Sequence, residues 1–575
     1  MGLNKIKFFF AIFSLFSFLV NGQKLTHSEM LGRPTANSIT VQTFFDAAVD
    51  VRVQLGVNAG KYTRETSWQT FEANEPAEIL IDSLLPNTKY YYRLNYRLKG
   101  KSNYVTRPEF YFQTQRPAGE SFSFVVQADP HLDEQSDSAL YRLCLKNQLA
   151  DKPDFMVDLG DILMSDKLKS TSLGYIPRDT VTYRSHLVRS FYETATHSVP
   201  LFISMGNHEG ESGWNLNGTA NNVAIWGTLD RKKYFLNPFP NSFYTGDNTN
   251  HSLVGIRENY YAWTWGDALF IVLDPYWYTA LKPDAANGWR WTLGKTQYDW
   301  LKSTLEGSKA KFKFVFAHQL IGGDPNGRGG IEFANLYEWG GNNLNGTSGF
   351  AANRPGWYKP IKDLLTENRV NIFFHGHDHF FMKQEMDCLV YQETPQPSHP
   401  NFSSAGQAAE YGYIKGDLWP NSGHIRVNVG PNGVQVDYVR AYLPKNETNA
   451  RHNQDVSATY LIGKVNCYDN AKNNPIVLLN SEYKSDWVGP NPMSDLTKFV
   501  LHIEKPETIS LTIYNVLGQK VKDLLTDFQA SIGNFEVLWN GQDDHGSTLP
   551  SGSYVYQING SAHGNSTGKI IIDHK

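Results

Sequence analysis

Five short polar segments, each closing a run of apolar residues, set the tightest limit on how this chain can fold. Asp129-Pro130-His131 follows the run from Phe122 to Val126, Gly160-Asp161 follows Phe155-Met156-Val157, and Gly206-Asn207-His208-Glu209 follows Leu201-Phe202-Ile203. His318 follows Phe314-Val315-Phe316, and Gly376-His377-Asp378-His379 follows Ile372-Phe373-Phe374. Short β-rich apolar runs of this kind read as strands buried on both faces. Helical patterns lie between them, at Ser138 to Leu149, Thr182 to Ala195, Thr296 to Leu305 and Tyr358 to Leu365. Alternating strand, polar loop and helix predicts an α/β domain whose ligands gather outside the strand ends. Five remote segments can therefore meet at one rim.

The residue types in those segments suit metal chemistry. Taken singly, Gly160-Asp161 reads as a turn, Gly206-Asn207-His208 as a loop with residues that tolerate left-handed backbone, and His318 as a core histidine. Together they supply imidazoles and carboxylates, which suit zinc, iron, manganese and similar ions. Asp161 is the candidate bridge between two ions, because a carboxylate offers two oxygens. Asp129, His131 and His379 would complete one metal, and Asn207, His318 and His377 the other. Two aspartates against two divalent ions leave two positive charges over, which attract phosphate and acidify a water held between the ions. His208, between Asn207 and Glu209, reads as a proton donor or as a cation facing phosphoryl oxygens.

At these residues the chain resembles the calcineurin-like metallophosphoesterase superfamily, over roughly Ser121 to Pro444. The resemblance implies a four-layered fold, two sheets packed face to face with helices outside. It also implies the ligand set just given and the proton-donor role of His208. The expected function is that of a dinuclear-metal phosphoric ester hydrolase, a metal-bridging hydroxide attacking phosphorus while His208 assists the leaving oxygen. The domain that precedes it makes the chain most similar to the purple acid phosphatase branch. Members of that branch carry Gly-Asp-x-x-Tyr, whose phenolate binds ferric iron. Here that position is Met164, a poor ligand for a hard ferric ion. Two divalent ions are expected instead: zinc, manganese or iron. The ligands fit phosphomonoesters and phosphodiesters equally.

Other residues of the domain bear on the pocket. Gly322 to Trp339 is Gly-rich and holds Arg328, Glu332 and Trp339. Arg328 could clamp a phosphate with its planar fork, and Trp339 or Trp357 could stack on a sugar or base, although each also suits plain packing. His375 reads as a strand residue packed in the sheet. Asp274 ends the run Leu269 to Leu273 and could face the same rim. An alternative function belongs to another class: a cell-surface protein that binds glycan or a partner and carries an inactive hydrolase domain. Intact aspartates and an intact His208 argue for the enzyme.

The remainder of the 575 residues reads as further domains. Residues 1–22 have a signal peptide's order: Lys5 and Lys7, then the apolar stretch Phe8 to Val20, too short for a comfortable membrane span. No other segment could cross a bilayer. A net charge of −4, with both signs mixed, implies no nucleic-acid partner. Cys144, Cys388 and Cys467 allow one disulfide at most. Residues 27–116 read as a β-sandwich, from the alternation in Ile39 to Gln42 and Val49 to Val53. They resemble a fibronectin type III domain with Tyr90 as corner tyrosine. Residues 121–444 are the α/β domain and 445–485 a polar linker, within which Tyr460-Leu461-Ile462 could pair with a sheet. Residues 486–575 form a small β-sandwich from its Asn-Gly and Gly turns. Its segments Leu511 to Gln519, Trp539 to Asp543, Ser551 to Tyr556 and Lys569 to Lys575 resemble the C-terminal sorting domain of type IX secretion. That resemblance implies the type IX machinery as partner and a route through the periplasm to the cell surface or medium.

Overall fold

Each apolar run is continuous because its alternate residues enter two different cores. Phe124 and Val126 point one way and Val125 the other; Phe155 and Val157 part from Met156, and Phe314 and Phe316 from Val315. A strand alternates its side chains between faces, so a strand roofed on both sides has no polar positions to offer. A computed structural model describes residues 24–574, apart from 168–175, 285–286, 322–323, 325–326, 464–476, 480–485, 494–496, 506, 531–532, 545–546 and 562–563. The expected signal segment 1–22, Cys467 and part of the expected linker lie outside the described residues.

Two mixed sheets form the central domain. The six-stranded sheet runs in the order Leu201–Ile203, Phe155–Asp158, Phe122–Gln127, Gly423–Gly430, Gly433–Arg440, Val456–Gly463. Its first three strands are parallel and the rest antiparallel. The eight-stranded sheet has Ala268–Val272, Phe312–Phe316, Ile372–His375 and Leu389–Glu393 as adjacent parallel strands. Between the sheets lies an aromatic core in which Phe124 stacks on Phe155 at 5.5 Å and Phe316 on Phe374 at 5.0 Å. Outer faces pack against the helices Ser138–Ala150, Arg178–Tyr192 and Gly294–Gly307. This is the expected layered α/β architecture.

Boundaries differ from expectation in several places: the helix expected over Thr182 to Ala195 is Arg178–Tyr192, and Val477–Leu479, expected within the linker, pairs with Gly533–Trp539. The helix expected over Tyr358 to Leu365 is Ile361–Glu367 and begins after the extended Pro360, because the residue before a proline is pushed out of helical conformation. Val456–Gly463, expected within a linker, pairs with Gly433–Arg440 as the edge strand of the six-stranded sheet. Tyr460 anchors it in the core.

The N-terminal region is a β-sandwich. Leu25–Gly32, Ile39–Phe45 and Ala77–Ile81 make one sheet, while Val49–Gly56 and Lys89–Leu98 lead the other. Tyr90 accepts the backbone N–H of Leu85 at 2.9 Å, the bond expected of a corner tyrosine. Arg189 of the central domain donates to the carbonyls of Ser28 and Gln42, and Tyr92 donates to that of His197 at 2.7 Å, so the two regions share buried polar contacts. The C-terminal region is two four-stranded sheets around Phe499, Leu511, Val537, Trp539 and Ile570. Cys144 is a buried free thiol and Cys388 is disulfide-bonded. No helix among the described residues is long and apolar enough to cross a membrane.

Candidate metal centre

The loops that leave the parallel strands adopt backbone that few side chains tolerate. Asp129, His131, Asp161, His377 and His379 have φ of 56°, 49°, 58°, 78° and 68°. Left-handed backbone costs a non-glycine residue about 1–3 kcal/mol and persists only where surrounding structure imposes it. The glycines beside them allow close approach. A Cβ on Gly206 would stand 2.3 Å from the Asp161 backbone nitrogen, and one on Gly376 would stand 2.6 Å from Asp129 Oδ2.

Two buried glutamates hold part of that backbone. Glu209 accepts the N–H groups of Gly206, Asp161 (3.0 Å), Ile162 (2.6 Å) and Leu163 (3.2 Å). Glu393 accepts those of Asp378 (3.1 Å) and His379 (3.2 Å) and pairs with His375 Nδ1 at 2.7 Å. Burial, helped by Asp161, pushes the Glu209 carboxyl up to about 7. Burial, helped by Asp378 and Asp129, holds Glu393 well above the usual carboxylate range.

The expected ligands converge as two clusters. Asp129, His131 and His379 present ligand atoms within 4.8 Å of one another, as do Asp161, His318 and His377. Asp129 Oδ1 is 3.7 Å from His131 Nε2 and 3.5 Å from His379 Nε2. His318 Nε2 is 3.3 Å from Asp161 Oδ2, 3.0 Å from Asn207 Oδ1 and 3.1 Å from His377 Nδ1. Asp161 Oδ2 is also 3.6 Å from His131 Nε2, so it faces both clusters.

Chemistry of the donor set fits a cation in each cluster. His318 Nδ1 meets the carbonyl of Leu159 at 3.0 Å. That bond places the proton of a neutral ring on Nδ1 and leaves the Nε2 lone pair among three other electron-rich atoms. Asp129 Oδ1 and His131 Nε2 are buried without hydrogen-bond partners. Buried polar atoms are ordinarily satisfied, and an ion would satisfy all of these together. Charges point the same way. Burial opposes ionisation of Asp129 and Asp161, yet His318 with His379, and His318 with His208, hold both carboxyls well below their usual range. Burial lowers His318, but Asp161 and Asp129 override it and bring that imidazole up to about 9.

His208 stands at the rim. Its backbone N–H donates to Asp161 Oδ1 at 2.8 Å, and its Nε2 receives the Asn207 amide at 3.0 Å. The ring lies 3.9 Å from Asp161 Oδ2 and keeps 18% of its side chain open to solvent. Arg328 sits nearby, donating to the His377 carbonyl at 2.6 Å and to Asp378 at 2.9 Å, with its guanidinium over the Tyr411 ring. Met164 is buried.

Some expectations fall away. Trp339, read as a stacking surface for substrate, is wholly buried in the core against Phe373, and its indole N–H donates to Tyr391 at 3.2 Å. It lies on the short helix Tyr337–Gly340, whose Tyr337, Glu338 and Trp339 are all buried. Trp357 packs on Tyr298. Asp274 is buried against Arg257 and Asn259 and does not reach the rim. Glu393 and the clamping role of Glu209 were not found from sequence. Glu209 has a local signal, following the Gly-Asn-His segment, whereas nothing near Glu393 marks it.

Comparison with known proteins agrees with this geometry. Residues 122–381 match the family model for the calcineurin-like phosphoesterases, and residues 488–573 match that for the secretion system C-terminal sorting domain. Among solved structures, the fold is similar to that of PhoD, at 16% identity and a TM-score of 0.54, over 76% of this chain and 90% of that one. It is also similar to purple acid phosphatase PPD1 from seeds of yellow lupin (Lupinus luteus), at 14% identity and a TM-score of 0.50, over 76% and 74%. No curated protein sequence matches the chain. The central domain is a calcineurin-like phosphoesterase domain, that of a metal-dependent phosphoesterase.

Proposed function

We propose that the chain is an exported phosphoric ester hydrolase working with two divalent ions. Asp129, His131 and His379 would hold one, Asn207, His318 and His377 the other, and Asp161 would reach both. The observation that carries this is the place of Asp161 Oδ2, 3.6 Å from an imidazole of one cluster and 3.3 Å from an imidazole of the other. Zinc, manganese or ferrous iron bound there would supply Lewis acidity and lower the pKa of a coordinated water toward neutrality. A thioether at Met164 favours such ions over a ferric one.

The chain's own residues provide the rest. Two carboxylates against two divalent ions leave the pocket cationic, which draws in a phosphoryl group. Hydrolysis adds the oxygen of water to phosphorus and releases an alcohol, whose oxygen needs a proton. His208 is suited to give it, because it is partly exposed at the rim and its backbone is tethered to Asp161. Arg328 braces the His377-Asp378 turn and borders the same mouth. For export, the sorting-domain match and the signal-like start support passage through the periplasm and out by the type IX machinery.

Hydrolysis of nitrophenyl phosphate and bis-nitrophenyl phosphate, assayed side by side with added manganese or zinc, tests the activity. Turnover of either ester that a chelator abolishes and metal restores is the expected result. Protein that carries ions yet cleaves neither ester would refute it.

A further inference from the structure

Arg184, on the helix Arg178–Tyr192, is buried and spends its guanidinium on main-chain carbonyls alone. Nε donates to Leu163 O at 2.8 Å, Nη1 to Leu132 O at 3.1 Å, and Nη2 to His131 O. Among the described residues no carboxylate forms an ion pair with it. Asp133 and Glu209 act on it only from a distance. A buried cation without a partner is costly, and a helix residue in this place needs no charge to pack. What the charge obtains is three carbonyls drawn from two separate loops.

Those carbonyls belong to the candidate ligand loops. His131 is itself in the first cluster, and Leu163 lies two residues beyond Asp161. His131 and Leu132 both have left-handed backbone, at φ 49° and 54°. Glu209 reaches only the N–H groups of the second loop. Two backbone bonds also join the loops, from the Asp129 N–H to Gly160 O at 3.0 Å and from the His131 N–H to Asp161 O at 3.3 Å; among the described residues Arg184 alone ties the carbonyl side of His131-Leu132 to Leu163. The other cluster is held by different groups, His318 through Leu159 and the His377-Asp378 turn through Glu393 and Arg328.

We propose that Arg184 is a positioning residue, locking the Asp129–Leu132 loop to the Asp161–Leu163 loop so that the His131 ring stands ready at the first metal position. A planar fork can serve three acceptors in different directions at once; the single ammonium of lysine cannot span them. The inference rests on the two-metal reading and makes a demand that reading does not: loss of Arg184 should weaken one ion and spare the other.

Titration of the metal-stripped full chain with Zn2+, followed by calorimetry, tests this on the natural protein, on Arg184→Lys and on Arg184→Ala with and without added guanidinium ion. The visible spectrum of the Co2+-loaded proteins and the melting temperature of the metal-free ones are read in parallel. In Arg184→Lys, one binding step should weaken about 10–100-fold while the other holds, and only part of the cobalt spectrum should change. Guanidinium should restore the weak step in Arg184→Ala. Natural affinity at both steps in the variants would overturn the inference and leave the two-metal reading standing. So would equal weakening of both steps that tracks a lower melting temperature, which marks a merely structural role. A natural protein that binds fewer than two ions would instead overturn the two-metal reading.

Discussion

Glu209 Oε2 accepts the backbone N–H of Asp161 at 3.0 Å, and Oε1 takes the next two N–H groups of the same loop. The carboxylate facing both clusters is thus held through its backbone by a second, buried carboxylate that offers only acceptors. Glu209→Gln turns one acceptor into an amide whose protons meet N–H donors. Loss of stability by about 1–3 kcal/mol is expected, with weakened metal uptake, measured by chemical denaturation and elemental analysis. Natural stability in this variant would mean that the loop holds itself.

His208→Ala should keep both ions and lose turnover by about 10²–10⁴-fold, the range for removal of a general acid. Metal content and kcat measured on one preparation decide it. Parallel loss of metal would show that the ring is a ligand.

Asp161→Asn should lower metal content at both clusters, since its Oδ2 faces both. Elemental analysis that found two ions still bound would remove Asp161 from the bridging position.

Trp339→Phe should leave KM unchanged while removing the hydrogen bond to Tyr391, at about 1 kcal/mol of stability. A raised KM with stability intact would return Trp339 to the substrate site.

Asp158 gives a pH prediction. Burial pushes its carboxyl up to about 7, against hydrogen bonds from Tyr192, Gln127 and the Gly160 N–H. Its folded value exceeds its unfolded one, so the folded state holds the proton more tightly. That stability is complete below about pH 4 and is lost as pH rises to about 7, on the order of a few kcal/mol. Melting temperatures of the metal-free protein at pH 5 and pH 8 should lie closer together in Asp158→Asn than in the natural chain. An unchanged difference would place the titration elsewhere.

The ligands were legible because each ends a strand whose residues are apolar without a break. That continuity marks burial on both faces, and the polar loop that follows opens at the rim. Asp129, Asp161, Asn207, His318 and His377 all lie two to four residues beyond such a run. Arg184 and Glu393 do not, because a residue inside a helix and one at the end of another strand touch the site only after distant layers pack. Trp339 misled because its Gly-rich surroundings look like an open loop, while the one-turn helix that buries it is too short to leave a periodic signal. Val456–Gly463 is an edge strand, only half-buried along most of its length, so it lacks the continuous apolar run of the central strands.

Anomalous diffraction from crystals grown with zinc or manganese would locate the ions. Two peaks are expected, one beside Asp129, His131 and His379, the other beside Asn207, His318 and His377, with an Asp161 oxygen about 2.0–2.2 Å from zinc at each peak. A single peak, or two that Asp161 does not join, would contradict the bridged two-metal site.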